Sequence, residues 1–237
     1  MFCAVRNTIT AFLLMTLFTP ALAEPAATAL VDRLTAKFLR VRDARCDITL
    51  DTSLQLLGCG GVNRQKGQLF YKAPDRVMAV VGKERYYIRG NNIRKIDGEG
   101  KRYYITLIHA PDFTVGFNPR LMETNFQLQT ISATSREVVM EGWPKPGVLK
   151  NVKKVIFRAD PAADLLRRMD LTIANGLKGK VNIDYQVING LDVPVACHGQ
   201  SALELNGGFL VGLVFNLKGT NFQVNTGLAD RIFDPGF

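Results

Sequence analysis

The chain has 237 residues, of which 47% are apolar, 9% aromatic and 22% charged, fractions of an ordinary globular domain that exclude a disordered tail. Ten prolines and twenty-one glycines without a fixed period exclude collagen-like and low-complexity chains, and a mean hydropathy of +0.04 excludes a bundle of membrane-spanning helices. The net charge of +9 favours phosphate-bearing partners such as lipid headgroups, lipopolysaccharide or nucleic acid, without choosing among them.

The N-terminus makes that choice. Met1 to Arg6 carries one positive charge, Ala11 to Phe18 is an apolar stretch too short to span a bilayer, and Pro20 precedes Ala21-Leu22-Ala23, a small-x-small cleavage pattern. These features predict a signal peptide over residues 1–23, cleavage after Ala23 and a periplasmic mature protein of one domain, residues 24–237. Cys3 lies before the apolar stretch, which argues against a lipid anchor. Export disfavours nucleic acid as a partner.

In the mature chain Leu30, Leu34, Phe38 and Val41 recur at helical spacing, with Asp32, Arg33, Lys37 and Arg40 on the other side. From Arg45 the period changes to two, with Ile48, Leu50, Leu54 and Leu56 against Asp47, Thr49, Asp51, Ser53 and Gln55. This predicts a long half-buried strand. Turn dipeptides at Gly82-Lys83, Gly90-Asn91, Asp97-Gly98, Asn175-Gly176, Asn189-Gly190 and Asn206-Gly207 separate later β-rich runs. Val181, Ile183, Tyr185 and Val187 alternate with polar residues, as do Phe209, Val211, Leu213, Phe215 and Leu217. Two segments interrupt the meander, Ile108–Thr124 and Pro161–Met169, the second predicted as a helical turn or two. The expectation is mainly β: a half-open antiparallel barrel, or curved sheet, of roughly ten strands with helices on its concave face.

This order of elements resembles the LolA-like superfamily of periplasmic lipoprotein and lipid carriers. The resemblance lies in Gly67-Gln-Leu-Phe-Tyr-Lys-Ala-Pro-Asp75, in Tyr185-Gln-Val-Ile-Asn-Gly-Leu-Asp-Val-Pro194 and in the ending Val224-Asn-Thr-Gly-Leu-Ala-Asp-Arg-Ile-Phe233. It implies a carrier that shelters acyl chains between envelope membranes, with a lipid or lipidated protein as cargo, an inner-membrane donor and an outer-membrane acceptor. One departure stands out: Ala73 precedes Pro74 where the lipoprotein carriers place a basic residue that helps to hold the lid closed. Arg76, three positions on, is no substitute on a strand of period two.

An apolar sheet face is either a cavity for acyl chains, at about 0.8 kcal/mol per methylene, or a core packed by the protein's own helices. As cavity residues the sequence offers Leu50, Leu54, Leu56, Ile183 and Tyr185 from the strands, with Phe113, Phe117, Leu121 and Met122 from a segment that is either a lid or a plug. Between Lys72 and Arg102 nine basic residues face four acids, and Arg85, Arg89, Arg94, Lys95, Lys101 and Arg102, beside paired tyrosines, suggest docking on an anionic membrane; plain solubility is the alternative.

No catalytic motif, cofactor fingerprint or metal cluster emerges. His109 and His198 are isolated, and strand neighbours such as Cys197 and His198 point to opposite faces. The chain reads as non-enzymatic, either a carrier or a binding module that senses an envelope lipid or protein partner. Of the three mature cysteines, Cys46 and Cys59 would lie about 40 Å apart on a continuous strand, too far to bridge. If a disulfide forms, Cys59 to Cys197 is the candidate.

Overall fold

The computed structural model describes residues 23–55, 61–90, 92–106, 119–149, 152–173, 176, 178–205 and 209–234. Helix α1 (Ala23–Phe38) leads into strands β1 (Asp43–Gln55), β2 (Val62–Lys72), β3 (Arg76–Val81), β4 (Glu84–Arg89), β5 (Asn92–Ile96) and β6 (Arg102–Thr106). Helix α2 (Arg120–Asn125) follows, then β7 (Phe126–Ala133), β8 (Val138–Pro144), β9 (Val152–Asp160), β10 (Leu165–Ile173), β11 (Lys178–Ile188), β12 (Leu191–Leu205) and β13 (Phe209–Val224), with a 3-10 turn at Asp230–Phe233.

All thirteen strands join one sheet in the order β6-β5-β4-β3-β2-β1-β13-β12-β11-β10-β9-β8-β7. Every neighbouring pair is antiparallel, and all are consecutive in sequence except β1 and β13, whose pairing joins two meanders into one. The sheet does not close: its edges are β6 and β7, the strands on either side of residues 107–118 and α2.

The β1–β13 junction is tied at its base. Asn225 accepts a hydrogen bond from the Arg42 amide at 2.7 Å and donates one to the Arg40 carbonyl at 3.0 Å. The buried carboxylate of Asp43 accepts from the amides of Thr226 at 2.8 Å and Gly227 at 3.0 Å. Beyond it, Lys72 donates to the Leu228 carbonyl and, with Arg76, grips Asp230, strapping the C-terminal segment across the outer face.

The inner face carries α1. Ala27, Leu30, Val31 and Leu34 share one buried core with Val138 and Met140 of β8, Val155 and Phe157 of β9 and Met122 of α2, and the helix comes closest to β7 and α2. Phe157 is fully buried, meets Phe126 edge-on at 5.4 Å, and lies so close to Gly142 that a Cβ there would come within 2.9 Å of its ring. Outside this core, Arg33 pairs with Asp164 at 2.9 Å and Lys37 with Asp192 at 2.7 Å, fixing the helix across the strand ends.

The helical expectation over Pro161–Met169 is wrong. Residues 161–164 form a turn in which the Asp160 carboxylate accepts from the amides of Ala162 and Ala163, Asp164 takes φ +47, and Leu165 opens β10. The side chain of Asp160 competes with helical backbone pairing, and Leu165 and Leu166 gain more by entering the core as strand residues. The first helix, the long first strand and the hairpins fall where the sequence places them. Among the described residues the strands number thirteen rather than roughly ten, and β3 to β6 are each only five or six residues long. Residues 1–22, where the sequence leads one to expect a signal peptide, lie outside the described residues.

Phe157→Ala should cost about 3–5 kcal/mol, since it deletes a fully buried ring in a core that already lacks a side chain at Gly142. Urea denaturation should show this as a lower midpoint at unchanged slope.

Candidate functional site

Away from α1's main contact, the inner face holds an apolar cavity of about 60 Å³. Its walls include Ala44, Cys46 and Ile48 of β1, Leu69 and Tyr71 of β2, Val181 and Ile183 of β11, Val193 and Cys197 of β12, and Leu217 and Phe222 of β13, with Phe38 at the end of α1 and Val41 between α1 and β1. Strand alternation explains the β1 set, since residues 44, 46 and 48 share a face and pair with Tyr71, Leu69 and Gly67 of β2.

A bulge shapes the β13 wall. Arg45 pairs with Gln223 and Asp47 with Thr220, so two residues of β13 oppose Cys46 alone. Asn221 takes φ +55 and donates to the Asp47 carboxylate at 2.8 Å. That bond, with another from Gln68, holds the Asp47 carboxyl below the usual range. The bulge lays the Phe222 ring across Gly219, where a Cβ would meet it at 2.3 Å. Only glycine permits that approach.

Polar atoms at the cavity are few. The Tyr71 hydroxyl is buried with no hydrogen-bond partner among the described residues, its pKa pushed up by burial and then by Asp75. Cys46 and Cys197 are free thiols, and burial pushes each up to about 12. They are wall residues with none of the thiolate character that a nucleophile needs. His198 lies on the opposite face, half exposed, 3.5 Å from Asp184. Among the described residues no group of three or more His, Cys, Asp or Glu could hold a metal.

Of the cavity residues expected from sequence, Ile183 lines the space. Leu50 lies on the same inner face, half-buried, but outside the lining. Leu121, Met122 and Tyr185 belong instead to the filled core under α1, and Arg167 caps the Tyr185 ring at 5.6 Å. Met122 is wholly buried there. The Leu54 side chain, Leu56, Phe113 and Phe117 lie outside the described residues. A bridge from Cys59 to Cys197 is not formed, since Cys197 is a free thiol; Cys59 itself lies outside the described residues. The unbridged Cys46 agrees with the unbroken pairing of β1 from Asp43 to Ser53. Cys46, Val193 and Phe222 also line the space without having been expected there; parity with Ile48 points to Cys46, but the bulge behind Phe222 has no signal in the alternation.

The basic residues divide between the two faces. Register places Arg85, Arg89, Arg94 and Arg102 on the outer face, with Tyr87 and Tyr104. Lys95 lies on the inner face, paired with Glu84 under the Tyr86 ring, and Lys101 pairs with Glu99 at the hairpin turn. The six do not form one docking surface. Arg76 also points outward, to Asp230, so it does not replace the basic residue missing before Pro74.

An open antiparallel sheet whose inner face is only partly covered by helix is the LolA-like fold. No family model and no curated protein matches the chain. Solved structures do: a DUF1329-family protein from Desulfovibrio piger superposes with TM-score 0.64 at 13% identity, over 88% of this chain and 97% of that one. A LolA-superfamily protein from Nitrosomonas europaea gives 0.63 at 11%, covering 88% and 97%. An outer membrane lipoprotein-sorting protein domain from Vibrio parahaemolyticus gives 0.64 at 9%, covering 87% and 95%.

The buried Cys46 thiol and the half-buried Cys197 thiol set a pH dependence. An unfolded thiol ionises near 9 while the folded ones stay protonated to about 12, so stability falls as pH rises through 9, by up to about 1.4 kcal/mol per pH unit per thiol. Denaturation midpoints at pH 7 and pH 10.5 should differ more in the wild type than in a Cys46→Ala, Cys197→Ala double variant.

Proposed function

We propose that the protein is a non-catalytic carrier that shelters an acyl chain of a lipid or lipidated protein against the inner face of its sheet. The observation behind this reading is the apolar cavity between β1, β2 and β11–β13, where the described helices leave the sheet face unfilled. The likeness in fold to a lipoprotein-sorting domain supports it.

Size limits what the present conformation can hold. A cavity of about 60 Å³ takes about four methylene-sized groups, worth about 3 kcal/mol, far short of micromolar binding. A longer chain enters as Phe38 and Phe222 swing aside, since both border the cavity and lie outside the main core under α1. The unpartnered Tyr71 hydroxyl gives an incoming ester or carboxyl group a donor.

We further propose that the carrier works in the periplasm, exported on the N-terminal segment and released after Ala23. The buried side chains described in α1 begin at Ala27, so cleavage there leaves them all in the mature protein.

Ala44→Leu adds three carbons to a wall residue that faces the cavity. In the carrier the wild type binds a fluorescent fatty acid, and the variant binds it at least tenfold more weakly while unfolding at the same temperature or higher. A packed core gives no binding by the wild type and an overpacked variant destabilised by about 1–3 kcal/mol.

A further inference from the structure

The outer face carries a second site of opposite character. Across β3 and β4, Arg76 stands directly opposite Arg89; Arg89 in turn faces Asn92 of β5, and on the next rung Tyr87 faces Arg94. Like charges directly opposed across an antiparallel pair are destabilising. Only Arg76 of that pair has a carboxylate, Asp230 at 2.7 Å, and Asp230 is shared with Lys72. Arg89 makes no ion pair among the described residues, and neither does Arg231, which the 3-10 turn brings to the same place.

The turn converts this cluster from a flat patch into a pocket. Held by Asp230, with the Arg76 guanidinium 5.7 Å from the centre of the Phe233 ring, it walls off a cavity of about 600 Å³. Arg76, Arg89, Arg94 and Arg231 line it together with Tyr87 and Asn92, and two acids, Asp230 and Asp234, leave the lining with a surplus of positive charge. The volume is that of a small-molecule site.

We propose that this pocket binds a phosphate group. A carboxylate offers two oxygens and saturates one guanidinium fork; a phosphate monoester offers three acceptor oxygens and close to two charges, enough to bridge Arg89 and Arg231 and to relieve the repulsion between Arg76 and Arg89. Tyr87 and Asn92 supply neutral donors. The site is on the face opposite the acyl cavity and does not depend on the carrier reading. Its phosphate comes either from a lipid headgroup or from a soluble ester.

Titration of the full mature protein with glycerol 3-phosphate, followed by calorimetry at low salt, tests the site. The wild type should bind; Arg89→Gln and Arg231→Gln should each weaken binding at least tenfold. Arg89→Gln should also leave the unfolding temperature of the free protein unchanged or higher, because it removes a repulsion. Phosphatidic acid vesicles that displace the bound ester would identify a lipid headgroup as the source, and vesicles that do not would identify a soluble ester; both support the pocket. Failure of the wild type to bind either glycerol 3-phosphate or phosphatidic acid vesicles, or equal binding by both variants, would overturn it.

Discussion

A thirteen-stranded sheet presents more apolar face than one sixteen-residue helix can cover. At about 4.8 Å per strand the sheet is about 60 Å across, while α1 is about 24 Å long and about 10 Å wide. The helix therefore packs at one end of the sheet, closest to edge strand β7 and to α2, where Phe126, Met140, Phe157 and Met122 share its core. What it leaves uncovered must be filled by large side chains from the sheet itself or remain a cavity. Around β1, β2 and β11–β13 both occur: Phe222 folds back over Gly219, and a residual apolar space remains beside it.

The pairing of β1 with β13 makes this geometry possible. Chain order alone would give two meanders, and the buried Asp43 carboxylate with Asn225 locks the first strand to the last. The cavity sits along that junction, so its walls come from both ends of the chain. Its two thiols are kept neutral by desolvation among the apolar side chains that line the space. The outer face, free of that demand, can carry charge, and there the C-terminal turn that the junction leads into builds a pocket lined by arginines.

Much of this was legible in the sequence. The helix at Leu30 and Leu34, the long strand through Ile48, and the hairpins at Asn189-Gly190 and Asp97-Gly98 rest on periodicity and turn chemistry, which are local and strong. The inner face of β1 also followed from alternation. Legibility ended where a single side chain or a tertiary contact decided the outcome. Asp160 turned Pro161–Asp164 away from helix, the bulge at Asn221 reversed what alternation says of β13, and the burial of Met122 depended on where α1 landed. The division of the basic residues between two faces required the register of β3 to β6, which no composition reveals.

The most direct test of the acyl-binding account is photo-crosslinking with a diazirine-bearing fatty acid, followed by peptide mapping. The account predicts saturable labelling concentrated on the walls of the inner-face cavity, at Cys46 and Ile48 of β1 and Leu217 and Phe222 of β13. Labelling that does not saturate, or that spreads over the outer face and spares these residues, would contradict it.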